Sequence, residues 1–211
     1  MQQVCFCATA TDIEQHIIAR WRDSVNAATA GEALAVIGTA RLTGIFSPAR
    51  QANLLIRQAI EASEHTQIIV KTDIDCTYSP ALTRELAAVR PGYALCPIIW
   101  FDTPEHGIDG LRNPRPCGTL AMHRTDWLNL RGYDERMEGH GREDGEMIER
   151  AMAAGITIYR TDRPLVVHQW HTARTGGSYP LRAQDNRRIE ADNPPWHETP
   201  GSERWGKGET P

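Results

Sequence analysis

Ile68-Ile69-Val70-Lys71-Thr72-Asp73-Ile74-Asp75-Cys76 decides how this chain reads, because an apolar β-branched run stops at two carboxylates. The apolar half suits a strand covered on both faces, where Ile and Val fit the pleated surface. In an extended chain residues two apart point the same way, so Asp73 and Asp75 are expected to converge on one patch at the strand's carboxyl end. Two close carboxylates repel. Protonating one, pairing with a cation or sharing a metal ion relieves the repulsion, and oxygen-only ligation suits hard ions such as Mg²⁺ or Mn²⁺. The plainer alternative is a solvated turn running from Asp73 to Pro80.

Before this stretch the chain alternates strand and helix. Val4 to Ala8 reads as a strand, and Thr11-Asp12-Ile13-Glu14 has capping-box spacing. Ile13, Ile17, Trp21 and Val25 then recur at four-residue steps and make the apolar face of a helix. Ala33 to Gly38 is a second short strand. In the next helix Ser47 is a good N-cap, Pro48 fits the first turn, and Ala52, Leu55, Ile56, Ala59 and Ile60 form one buried stripe. Strand, helix, strand, helix, strand is the pattern of a parallel sheet with helices on its faces, where ligands gather at the carboxyl ends of strands.

After it, Ser79-Pro80 repeats the cap-then-proline start, with Leu82, Leu86 and Val89 as a helical face. Tyr93 to Phe101 reads as one strand, and Asp102 to Pro116 as a surface loop able to line a cleft. Thr119 to Met122 is a short strand, followed by a brief helix from Asp126 to Arg131 capped by Thr125. Arg142 to Ala154 is a helix with Met147, Ile148, Ala151 and Met152 expected inward. Glu143, Asp144 and Glu146 crowd its first turn, where acids at least complement the helix dipole. Ile156 to Tyr159 and Leu165 to Val167 are strands, the second running into His168-Gln169-Trp170-His171. In an extended segment the two histidines face opposite ways, so at most one of them is expected to join the acids.

A chain of 211 residues can bury a sizeable core, and one domain with a loose end is the natural organisation. A net charge of -4 gives no general basic surface for nucleic acid. No apolar run approaches the roughly 20 residues of a membrane helix, and Met1-Gln2-Gln3 lacks a basic signal start, so a cytoplasmic protein is expected. The five scattered cysteines read as free thiols, since no second pair follows Cys5-Phe6-Cys7 at zinc spacing. Beyond Thr172 the chain is rich in Gly, Pro and charge, a tail or lid in which Trp196 and Trp205 are docking anchors or sugar-stacking rings.

Four segments taken in order resemble the GT-A glycosyltransferases, especially the galactosyltransferase-like group and its family 2 relatives. They are Ser47-Pro48-Ala49-Arg50-Gln51-Ala52-Asn53; Lys71-Thr72-Asp73-Ile74-Asp75; Gly118-Thr119-Leu120-Ala121-Met122-His123-Arg124; and Gly132-Tyr133-Asp134-Glu135 leading to Gly139-His140-Gly141-Arg142-Glu143-Asp144. The resemblance spans about Ser47 to His171. It implies an α/β, GT-A-like three-layer fold, a central mostly parallel sheet with helices on both faces, as a catalytic domain over residues 1–171 with the tail at 172–211. By the same resemblance Asp73, Asp75, Arg50 and Asn53 contact the donor, and Asp75 and His168 hold Mn²⁺ or Mg²⁺, with His171 in reserve. Glu143 and Asp144 bind acceptor and supply the base. The activity implied is metal-dependent transfer of a sugar from a nucleotide-diphosphate donor, a UDP-sugar favoured, to an acceptor hydroxyl with inversion. Ala8-Thr9-Ala10-Thr11, Ile37-Gly38-Thr39-Ala40 and His140 depart from the family's usual residues. The rival readings are a metal-dependent nucleotidyltransferase and a non-catalytic carbohydrate or protein-binding module.

Overall fold

The computed structural model describes residues 3–9, 15–29, 34–38, 47–103, 108–113, 115, 118–139, 141–171, 183–192, 195–199 and 202–207. Strand β1 (Gln3–Thr9) leads to α1 (Gln15–Thr29), whose Ile17, Trp21 and Val25 are fully buried, as their spacing requires. Ile13 and the Thr11–Glu14 cap lie outside the described residues. Next come β2 (Leu34–Gly38) and α2 (Pro48–Ala62), which starts where Ser47-Pro48 says it should: the Ser47 hydroxyl accepts from Arg50 N at 3.2 Å and donates to Met137 O.

Strand β3 (Thr66–Asp73) then ends on the first acid, and the chain turns through Ile74 and Asp75 into β4 (Cys76–Tyr78). Asp73 and Asp75 therefore do not share one extended strand, against expectation; the turn, not the pleat, sets where Asp75 points. Helix α3 (Leu82–Leu86) begins after Ala81, two residues beyond Ser79-Pro80, because the Ser79 hydroxyl accepts from Ala81 N in the preceding turn.

The single strand expected at Tyr93–Phe101 is two, β5 (Tyr93–Leu95) and β6 (Ile99–Asp102), in different sheets. Between them Cys96 N and Ile98 N donate to Tyr159 O and Thr161 O, while Pro97 has no N–H to give, so the chain crosses from one sheet to the other. Part of the expected loop is β7 (Ile108–Asn113), antiparallel to β6 on the edge of the smaller sheet, where an alternating apolar signal is not needed.

β8 (Thr119–His123) leads directly into α4 (Arg124–Leu130). Its cap is His123, whose Nδ1 accepts from Thr125 N at 3.2 Å, in place of Thr125. α5 (Glu143–Ala153) follows; Met147, Ile148 and Ala151 are buried, but Met152 is 59% exposed, contrary to expectation, because it falls outside the stripe facing the sheet. β9 (Thr157–Tyr159), β10 (Val166–His168), α6 (Ala183–Asp192) and 3-10 turns at Trp196–Glu198 and Ser202–Arg204 complete the described chain.

The larger sheet runs β2-β1-β3-β8-β5-β9, parallel except at β8, which is antiparallel to β3 and β5. One face packs Cys5, Cys7, Ile69, Leu120 and Met122 against α2, α4 and α5. The other packs Phe6, Ile68, Val70 and Ala121 against α1, α3 and the smaller sheet β4-β10-β6-β7. Each fully buried large side chain in these layers contributes about 1.5–3 kcal/mol of transfer free energy. Trp196 and Trp205 are both 2% exposed and belong to the first layer, so they dock the C-terminal segment and are not sugar platforms. Trp196 Nε1 donates to Arg131 O at 2.7 Å. Among the described residues no helix is long and apolar enough to cross a membrane.

Candidate active site

The turn after β3 sits where the two sheets meet. β10 pairs antiparallel with β4, which sets His168 opposite Cys76, and Gln169 N donates to Asp75 O at 2.6 Å. That bond carries the register of β10 against β4 one residue further, and the regular strand ends at His168. As a result both histidines reach the same acid: Nε2 of His168 and Nε2 of His171 each lie 3.3 Å from Asp75 Oδ2. The expectation that only one histidine could join is therefore corrected; it rested on a strand continuing to His171, and β10 stops at His168.

The three ligand atoms lie within 4.8 Å of one another. Separations near 3.3 Å suit neighbouring donors around an ion with bonds of about 2.1 Å, and two imidazoles with one carboxylate on one side leave the remaining positions open. The donor set thus fits a divalent transition ion better than the oxygen-only set expected from the acids. Without the ion the cluster is held by charge. Burial works to raise the Asp75 carboxyl, but hydrogen bonds from His168 and His171 outweigh it and hold Asp75 well below the usual carboxylate range. Burial alone would lower His168; its bond to Asp75 and that acid's charge raise it instead.

On the other side of Asp73 lies a second cluster. Alternation along β3 sends Lys71 and Asp73 to the face covered by α5, and Lys71 Nζ donates to Asp73 Oδ1 at 3.0 Å and to Asp144 Oδ1 at 3.2 Å. Asp144 also accepts from the Tyr133 hydroxyl at 3.1 Å and, through Oδ2, from Gly118 N at 3.2 Å. Gly118 O in turn accepts from Asp73 N at 2.8 Å, so one residue touches both acids' segments. Glycine suits the position: φ is +70°, and an added Cβ would crowd Ile99 Cδ1 and Asp73 Oδ2.

Burial pushes the Asp73 carboxyl up to about 6 against the pull of Lys71, although its side chain is 47% exposed and water screens part of that effect. Glu143, beside Asp144, is pushed up to about 7, first by burial and then by the Asp144 charge, and its Oε2 is buried without a hydrogen-bond partner. Glu146 takes no part, because it forms a buried pair with Arg150.

Asp73, Asp75, Asp144 and His168 thus form one continuous cluster: Asp73 feels the charges of both Asp75 and Asp144, and His168 feels Asp73 as well as Asp75. Two expected donor contacts do not join it. Asn53 is fully buried and spent on structure: Nδ2 donates to Tyr133 O and Glu135 Oε1, and Oδ1 accepts from Tyr133 N. Arg50 Nε donates to Glu135 O at 2.9 Å, against the same segment. Both brace the loop that carries Tyr133. Lys71, Tyr133 and Gly118 were visible within the quoted segments, but nothing in their spacing announced that all three would meet on Asp144.

The solved structures of similar shape decide the architecture. This is the GT-A fold. A TM-score of 0.67 at 15% identity, over 96% of this chain and 83% of the other, relates it to the catalytic domain of Drosophila beta1,4-galactosyltransferase 7 complexed with xylobiose. A mutant of that enzyme, complexed with manganese, UDP-Gal and xylobiose, gives 0.62 at 16% identity over 88% of this chain and 79% of the other. A GalNAc-T7 with UDP, GalNAc and Mn²⁺ gives 0.55 at 12% identity over 83% and 45%. Residues 114–172 match the family described as the N-terminal domain of galactosyltransferase. The chain is also 30% identical over 57 residues to Homo sapiens chondroitin sulfate N-acetylgalactosaminyltransferase 2, a match covering 27% of this chain and a tenth (10%) of that protein. The family match spans the Gly118 strand, the Glu143-Asp144 helix start and both histidines.

Proposed function

We propose that this GT-A protein is a divalent-metal-dependent glycosyltransferase that moves a sugar from a nucleotide-diphosphate donor, a UDP-sugar favoured, to an acceptor hydroxyl with inversion. The observation that carries the reading is the convergence of Asp75, His168 and His171 beside the Asp144 carboxylate. Two imidazole nitrogens among the three ligand atoms favour a divalent transition ion over Mg²⁺, and Mn²⁺ is the transition ion we favour. Complexes with manganese and a UDP-sugar or UDP in the similar structures support the same choice.

Held by Asp75, His168 and His171, the ion would supply positive charge to the departing diphosphate. Asp73 gives Oδ1 to Lys71 and leaves Oδ2 to accept a hydrogen bond from a donor hydroxyl. Asp144 takes the proton of the acceptor hydroxyl as its oxygen bonds to the anomeric carbon and the carbon–diphosphate bond breaks. The Lys71 ammonium, the Tyr133 hydroxyl and the Gly118 amide fix that carboxylate in place. Glu143, whose Oε2 has no partner, is free to orient the acceptor. Attack opposite the leaving group inverts the anomeric centre.

A panel of nucleotide sugars incubated with Mn²⁺ and sugar acceptors tests this. Release of nucleoside diphosphate that stops on chelation and in Asp75→Ala, with the product anomer inverted by NMR, is the expected outcome. Turnover unaffected by chelator, or a product retaining the donor's configuration, overturns the metal role or the base role respectively.

A further inference from the structure

Lysine is an unusual occupant of a buried central strand, since burial disfavours its charged form. Lys71 is 8% exposed, in β3 between β1 and β8. It is nevertheless held as the cation: burial would lower its pKa, but the charges of Asp144 and then Asp73 raise it well above the ordinary value. Its Nζ touches one carboxylate on β3 and one on α5, and stands 5.7 Å above the Tyr133 ring, whose hydroxyl binds the same Asp144 oxygen. Among the described residues, Lys71 and the Gly118 backbone tie the end of β3 at Asp73 directly to Asp144 at the start of α5.

We propose that Lys71 is a positioning residue for transfer: its ammonium sets the orientation of the Asp144 carboxylate relative to a donor bound at Asp73 and Asp75. This rests on Asp144 being the base. The ammonium bonds Asp73 and Asp144, whereas the three candidate metal ligands are Asp75, His168 and His171, so the ion and the ammonium draw on different side chains. Nor is it simply a counter-charge for Asp73: one short bond would serve that purpose, and the second bond to Asp144 fixes a spacing across the cleft. A carboxylate displaced by as little as an ångström from its attack geometry costs roughly 100-fold in rate.

Steady-state kinetics and calorimetry on Lys71→Met and Lys71→Arg test the proposal, with Mn²⁺ and UDP as the calorimetric probes. K71M is expected to lower kcat roughly 100-fold while donor KM and Mn²⁺/UDP affinity stay within about threefold of wild type. K71R, which keeps the charge in a different shape, is expected to recover part of kcat. A K71M enzyme with kcat within about threefold of wild type overturns the proposal. So does a loss confined to Mn²⁺/UDP affinity, which assigns Lys71 to the donor pocket. If K71M melts below the assay temperature, Lys71→Gln, which retains a buried donor, carries the same two outcomes. Asp144→Asn separates the two levels: full activity there removes the base assignment itself, whereas an inactive D144N beside an active K71M removes only the role of Lys71.

Discussion

At the turn after β3, Asp75 meets two imidazoles; at the start of α5, Asp144 meets an ammonium, a phenol and a backbone amide. Both carboxylates sit in partly buried places where unpaired charge is costly. The partners differ in permanence. Imidazole nitrogens must be deprotonated to ligate an ion, so the proposed metal site at Asp75 would exchange protons for the metal. Lys71 stays charged throughout that range, so the Asp144 cluster is assembled before any ligand arrives. Metal dependence should therefore belong to one half of the pocket and proton transfer to the other.

The largest expected effect separates the halves directly. Asp144→Asn is expected to lower kcat by about 1,000-fold while Mn²⁺/UDP binding persists in calorimetry, in line with loss of a general base. Equal loss of both would merge the two regions into one. Next, His168→Ala combined with His171→Ala should weaken Mn²⁺ binding by more than roughly 100-fold, beyond what a supporting group costs, without lowering the melting temperature of the metal-free protein by more than a few degrees. Retained Mn²⁺ affinity would move the metal elsewhere.

Asn53→Ala is expected to act on stability alone. It strands Tyr133 N and removes one of two donors to Glu135 Oε1, which keeps the Gly206 amide, costing about 2 kcal/mol and lowering the melting temperature by roughly 4–8 °C with donor KM unchanged. A raised KM would restore Asn53 to the donor site. The smallest effect concerns pH. His168 is raised above its ordinary 6.5 in the folded protein, so its pairing with Asp75 stabilises below that pH and is lost as pH rises through the folded value. Asp73 and Glu143, pushed up to about 6 and about 7, act in the same direction, because the unfolded chain ionises them first. Metal-free protein should thus melt a few degrees lower at pH 8 than at pH 5.5, with Mn²⁺ affinity moving the opposite way as protons cease to compete. A melting temperature that rises over this interval would contradict the charge arrangement.

Much of this frame was legible in the residues. Ser47-Pro48 fixed the start of α2, and Ile17, Trp21 and Val25 the buried face of α1. What failed did so where tertiary contacts override local pattern. Asp75 leaves the strand because the chain turns toward the second sheet, and His171 joins it because β10 ends at His168 and the chain beyond is not a strand. Arg50 and Asn53 lie on the correct helix, but their hydrogen bonds go to the Tyr133–Glu135 segment, a partnership with no local spacing. The Tyr93–Phe101 run reads as one strand because both halves are apolar; only the pairing partners show that it serves two sheets.

Calorimetric titration of UDP into metal-stripped protein, with and without Mn²⁺, on wild type and Asp75→Ala, tests the central claim most directly. Binding that requires Mn²⁺ and disappears in D75A is the expected result. Equal UDP binding without the ion, or in D75A, would contradict a donor site organised around Asp75, His168 and His171.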